Sequence, residues 1–172
     1  DPKNMRNIPE LGGGVLPDIG VYPLVTTRMV TEQEPIKVSS KIKYDKKFMT
    51  DIYASVEVTF KNFDLSFYVS TQMYLNQKMI FHGSTGKIEI HAPFNARLYG
   101  DAIVSLSKSD NSEKVHFRFG ETNQYKLQIE AFADAIKRND NSDLFSIQNS
   151  RNNQKIIDKI FQSYKKQKIL KI

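Results

Sequence analysis

Asp18 and Tyr22 stand four residues apart, just beyond three consecutive glycines, Gly12, Gly13 and Gly14. On a helix that spacing places a carboxylate and a phenol on one face, a pair suited to binding a hydroxyl group and exchanging a proton with it. Glycines without a Cβ let a ligand or another backbone come close. The same residues also have a purely structural account, because an acid early in a helix is favoured by the helix dipole and a Tyr at i+4 is often core. Other chemistries have less to stand on. His82, His91 and His116 have no carboxylate partner at i+3 or i+4, and the chain has no cysteine, so no metal site is expected. No Gly-x-Ser-x-Gly elbow, Walker loop or Gly-x-Gly-x-x-Gly turn occurs, so no dinucleotide is expected to bind through a phosphate loop of this chain.

The elements that must position Asp18 and Tyr22 follow from hydrophobic spacing. Pro17 suits a first helical turn. Leu16, Ile19, Leu24, Val25 and Met29 continue at helical spacing to about Glu32, and Pro23 predicts a kink or break, hence two short helical pieces. From Pro35 the period becomes two. Ile36, Val38, Ile42 and Tyr44 alternate with polar residues, as do Ile52, Ala54, Val56, Val58 and Phe60, and further strand runs cover 65–74, 79–82, 87–91, 102–107 and 114–119. Gly83-Ser84-Thr85-Gly86 reads as one hairpin turn and Lys108-Ser109-Asp110-Asn111-Ser112 as another. The last fifty residues turn helical, with one stripe of Leu127, Ala131, Phe132, Ala135 and Ile136 and a second of Ile156, Ile157, Ile160, Phe161 and Tyr164. Helix, sheet, two helices is an α+β domain, with an open, mostly antiparallel mixed β-sheet and helices packed on one face.

The chain has 172 residues with a formal net charge of +6, 40% hydrophobic and 26% charged residues, figures that fit one globular domain able to bury a core without disulfides. The excess charge is not spread over a groove. Arg151, Lys155, Lys159, Lys165, Lys166, Lys168 and Lys171 against Asp158 account for all of it, leaving the first 150 residues neutral. That is a solvated terminal helix and tail, so neither nucleic acid nor a membrane surface is expected as a partner. No apolar run approaches a bilayer span and the start has no signal-peptide layout. With no cysteine, the expected compartment is the cytoplasm.

The run from Pro9 to Leu24, Pro-Glu-Leu-Gly-Gly-Gly-Val-Leu-Pro-Asp-Ile-Gly-Val-Tyr-Pro-Leu, resembles the signature that opens the main helix of the C-terminal domain in the glucose-fructose oxidoreductase and inositol dehydrogenase family (Gfo/Idh/MocA type). Later segments agree in order: Ile80 to Ile90 followed by Ala92-Pro93-Phe94 is similar to the family's glycine-turn hairpin, and 125–136 and 150–164 resemble its last two helices. The resemblance implies a dihydrodipicolinate-reductase-like fold. It also implies an NAD(P)-binding Rossmann domain, with a catalytic Lys in a Glu-Lys-Pro motif, preceding a domain such as this one. Neither is in this sequence, nor is the family's usual first sheet strand, so residues 1–172 are expected to be one C-terminal substrate-binding and oligomerisation domain, inactive alone. Tyr at position 22, where the wider family often has His, points to the dihydrodiol, D-xylose and glucose-fructose branch; Pro17 departs from the usual Leu or Met.

By that resemblance Tyr22 is the acid/base, Asp18 orients the substrate hydroxyl or tunes the Lys, and Gly13 and Gly14 lie at the cofactor, NAD or NADP, bound mainly by the other domain. A Tyr with an ordinary pKa near 10 becomes a useful base when a cation within about 4–6 Å stabilises the phenolate. The substrate implied is a sugar, polyol or cyclic diol; the alternative is a non-catalytic interaction or dimerisation domain with the same fold. Apolar and aromatic residues in Phe67-Tyr68-Val69 and in Val115 to Phe119 predict a homodimer through the open sheet face, as the resemblance does.

Overall fold

Period-two alternation becomes strand wherever it was read. The structure, a computed structural model of the chain, describes residues 1–98, 100–108, 113–120 and 122–172. Its strands are β1 (Lys37–Tyr44), β2 (Asp51–Thr59), β3 (Asp64–Ser70), β4 (Lys78–His82), β5 (Gly86–His91), β6 (Ala102–Lys108), β7 (Lys114–Phe119) and a short β8 (Leu170–Lys171). Its α-helices are α1 (Val21–Thr31), α2 (Gln124–Arg138) and α3 (Ile147–Lys166). The architecture is α+β, as expected, but the single sheet is a correction. There are two four-stranded sheets, ordered β3-β2-β1-β8 and β4-β5-β6-β7, in which every pairing is antiparallel. Each belongs to its own unit, the first made of Asp1–Met73 with Ser146–Ile172 and the second of Tyr74–Phe145.

In the first unit, register sets one apolar face. Val38 pairs with Val58, Ile42 with Ala54, Ala54 with Val69 and Val56 with Phe67, so these side chains share a side of the sheet. Ile156, Ile157 and Ile160 of α3, together with Val15, Leu16 and Leu24, complete a core in which most side chains are fully buried. Each such side chain contributes about 1.5–3 kcal/mol relative to exposure. The Ser146 hydroxyl accepts from the Asn149 N–H and caps α3. The other face of this sheet is polar except for Tyr53 and Tyr68, whose rings stack at 6.4 Å. Of the run Phe67-Tyr68-Val69, only Tyr68 faces outward; the alternation turns Phe67 and Val69 into the core.

A buried cation ties α1 to α3. Arg28 donates from Nε and an η nitrogen to Glu34 at 2.8 and 2.7 Å, and from its other η nitrogen to Asn149 Oδ1 at 3.1 Å; Asn153 in turn donates to the Val21 carbonyl. Pro23 does not break α1. It is the third residue of that helix and lies in its first turn, just after the π turn. The junction between the two helical pieces falls earlier, at Gly20, because Leu16–Gly20 is a π-helical turn.

In the second unit, Gly83 and Gly86 close the β4–β5 hairpin, the Gly83 N–H donating to the Gly86 carbonyl at 2.9 Å. The turn expected at 108–112 lies, apart from Lys108, outside the described residues, although β6 and β7 pair as that turn requires. One face of this sheet carries Phe81, Ile88, Ile90, Val104, Leu106, Val115 and Phe117; Phe117 and the neighbouring Phe119 are about half exposed. The opposite face is polar except for Ile80 and Ile103. Glu89 lies between Lys78 (2.8 Å) and Lys87 (3.1 Å), and the Ser105 hydroxyl is hydrogen-bonded to His91 and His116. Helix α2 forms where its stripe was read and is capped by the Asn123 side chain. Only Ala135 of that stripe is buried, however, and Leu127, Phe132 and Ile136 remain exposed. Periodicity placed the helix without supplying a cover for it.

Candidate active site

The glycine run is shaped by its own chain. Two short 3-10 turns, Met5–Asn7 and Pro9–Leu11, precede it, the first capped by the Asn4 side chain accepting from the Arg6 N–H at 3.0 Å. Gly12 ends the second turn in the left-handed region at φ 74°. A Cβ on Gly13 would lie 2.7 Å from the carbonyl oxygens of both Met5 and Arg6, so the absence of a side chain lets the first turn lie directly against this point. Gly14 adopts φ +128°, and a Cβ there would fall 1.8 Å from Asp51 Oδ1. Only glycine accepts both that dihedral and that neighbour.

Asp51 opens β2 and is buried, 3% exposed. Its Oδ2 accepts from the Leu16 N–H at 2.7 Å, and the Val15 N–H also donates to the carboxylate. Burial pushes its carboxyl pKa up, against the pull of those N–H donors. It does the work of an N-cap from 35 residues away and fixes the start of the turn that carries Asp18. Its place at a strand start gives no sign of this in the sequence.

Asp18 lies in the middle of the π turn and Tyr22 is the second residue of α1. Asp18 meets a residue that spacing did not single out. Arg6 Nε donates to Asp18 Oδ2 at 2.6 Å, and the Arg6 guanidinium is held above its ordinary pKa chiefly by that hydrogen bond and charge, with Tyr22 adding in the same direction. Gly13 and Asp18 therefore both meet Arg6, while Gly14 turns away to Asp51. The group is open to solvent: Tyr22 is 44% exposed, and the side chains of Arg6 and Asp18 are 53% and 34% exposed. A carboxylate, a phenol and a guanidinium at one accessible surface can hold a hydroxyl and move its proton.

Elsewhere, a cleft of about 540 Å³ lies in the second unit, between residues such as Ile90, Ala96, Arg97, Val104 and Phe119. None of the predicted site residues lines it. Its lining also includes His91, hydrogen-bonded to Ser105, and Asp101, paired with Arg118 at 3.4 Å. Among the described residues no group of three or more His, Cys, Asp or Glu side chains could hold a metal ion, and no helix is long and apolar enough to cross a membrane.

Residues 1–89, which contain this whole arrangement, match the family model described as the GFO/IDH/MocA C-terminal domain. The chain belongs to the GFO/IDH/MocA family. It is 33% identical over 144 residues to an uncharacterized oxidoreductase of Rhizobium meliloti, covering 80% of this chain and 42% of that protein. It is 23% identical over 141 residues to a D-xylose 1-dehydrogenase [NADP(+)] of Haloarcula marismortui, covering 79% and 38%. Among solved structures, the aldose-aldose oxidoreductase from Caulobacter crescentus, complexed with glycerol, superposes with a TM-score of 0.85 at 19% identity over 100% of this chain and 52% of that one. This GFO/IDH/MocA chain thus spans about two fifths of the length of the curated relatives it matches.

Proposed function

We propose that this domain is the substrate-binding and subunit-pairing part of an NAD(P)-dependent oxidoreductase acting on a sugar, polyol or cyclic diol. The observation that carries the proposal is the Asp18 carboxylate, held by Arg6 at 2.6 Å and one turn before the exposed Tyr22 phenol, at a solvent-open surface. The relatives add support: a D-xylose dehydrogenase using NADP and an aldose-aldose oxidoreductase. Asp18 accepts a hydrogen bond from a substrate hydroxyl and orients it; Tyr22 Oη gives a proton to, or takes one from, the reacting oxygen. Hydride chemistry belongs to the nicotinamide, and this chain alone does not fit that group. Gly14 is buried against Asp51, and Gly13 is pressed on the Met5 and Arg6 carbonyls. The dinucleotide is held mainly by a domain preceding this one, and Gly13, which keeps some exposure, is the glycine able to lie beside it. The apolar face of the second unit's sheet pairs with a second copy, in a two-fold homodimer burying roughly 1,600 Å².

The test uses the full-length protein with NAD and NADP and a panel of aldoses, polyols and cyclic diols. Tyr22→Phe should lower turnover of the best substrate by about two to four orders of magnitude. Near-normal turnover would remove Tyr22 from the reaction.

A further inference from the structure

We infer that Arg6 is a positioning residue of this site: its guanidinium fixes the Asp18 carboxylate in the direction from which it meets a substrate hydroxyl. The inference rests on the assignment of Asp18 and Tyr22 to proton transfer and adds a third group from this same chain.

Arg6 is placed with care for a side chain so exposed. The Asn4 side chain caps the turn that carries it, the Ile8 N–H donates to the Met5 carbonyl at 3.1 Å, and the Gly13 N–H returns to the Ile8 carbonyl at 3.0 Å. Gly13 then lets the Met5 and Arg6 carbonyls come within a distance no side chain would tolerate. The effect of all four contacts is to hold the Arg6 backbone against the start of the π turn, so that Nε reaches Asp18 twelve residues on. An exposed ion pair adds little to stability. So much local organisation for a pair of small stabilising value points to a use in orientation. Asp18 used alone would rotate freely at the surface; with one oxygen bound to Nε, its other oxygen has a defined direction in which to meet a hydroxyl. Arg stays protonated throughout the working pH range, so its hold on Asp18 persists across it.

In the full-length enzyme, with the substrate selected for the Tyr22 test, Arg6→Ala should lower kcat about 10- to 100-fold with KM changed far less. Its melting temperature should stay within about 4 °C of wild type. Arg6→Lys, which keeps the charge without the fixed fork, should recover only part of the rate, and low concentrations of guanidinium should raise turnover of Arg6→Ala but not of Tyr22→Phe. If Arg6→Ala keeps kcat within twofold and gains nothing from guanidinium while Tyr22→Phe is impaired, the role of Arg6 is wrong and that of Tyr22 stands. Normal turnover in both variants would overturn the two together.

Discussion

Replacing Gly14 with Ala should be among the most damaging single-methyl additions available to this domain. An alanine held at φ +128° is strained by about 1–3 kcal/mol. Its Cβ would lie 1.8 Å from Asp51 Oδ1, so the buried carboxylate has to leave. The Leu16 and Val15 N–H groups then lose their acceptor, at about 1–3 kcal/mol each if they stay buried and unpaired. The lower bounds alone give a loss of about 3 kcal/mol, a large share of a typical domain's 5–15 kcal/mol, and a fall in melting temperature of at least about 6 °C. Gly12→Ala is the control. Its φ is +74° and nothing lies within 4 Å of the added methyl, so it should cost only the left-handed penalty of about 1–2 kcal/mol. Urea denaturation followed by far-ultraviolet circular dichroism measures both. A double-mutant cycle sharpens the test, because once Asp51→Ala has removed the obstacle, adding Gly14→Ala should cost only the backbone strain. Equal losses in Gly12→Ala and Gly14→Ala, or strict additivity in the cycle, would refute the role given to Asp51.

Glu34→Ala should destabilise by about 1–3 kcal/mol in urea titrations. It leaves the Arg28 guanidinium, whose side chain is 4% exposed, without its counter-charge, although water reaches the vacated site because Glu34 is itself 59% exposed. Glu89, flanked by Lys78 and Lys87, is depressed to about 2. Its stabilising contribution is therefore fully present above the ordinary carboxylate value of 4.5, and is lost as pH falls through that value towards 2. Glu89→Gln should remove this part of the acid limb in melts recorded between pH 5 and about 2. Asp51, shifted the other way by burial, favours the fold at low pH and loses that contribution as pH rises above the usual carboxylate range; Asp51→Asn should flatten that opposite slope.

Local pattern carried most of the secondary structure. Alternation such as Ile52, Ala54, Val56, Val58 became β2, and the spacing of Ile156, Ile157 and Ile160 became the buried side of α3, because each depends only on a residue's immediate neighbours and on one apolar side. Asp18 and Tyr22 were legible for the same reason, four residues apart on one stretch of chain. Arg6, Asp51 and Arg28 were not, since what matters about each is a partner 12, 35 or 121 residues away, and polar long-range contacts leave no periodic trace. The division into two sheets was equally hidden. Alternation in β3 and β4 says that each is a strand, not that they fail to pair with one another. The stripe on α2 shows the reverse failure: its period is clear, while the surface that would cover it has no signature in those fifteen residues.

The order in which the first unit's parts leave the ribosome follows from its connectivity. The sheet β1–β3 is complete by Ser70, but α3, which closes its core, begins only at Ile147, after the whole of Tyr74–Phe145 has been made. At a synthesis rate of about 5–20 residues per second, the nascent sheet waits several seconds with Val38, Ile42, Val56 and Val58 uncovered. Joining α3 to the sheet across an unstructured span of that length costs about 4 kcal/mol of chain entropy, a term that shrinks if the intervening hairpins form first. The second unit's early folding would then serve the first unit as a shortened tether. A destabilising change in β4–β7 would slow the maturation of the first unit's core and lengthen the interval in which the uncovered sheet needs a chaperone.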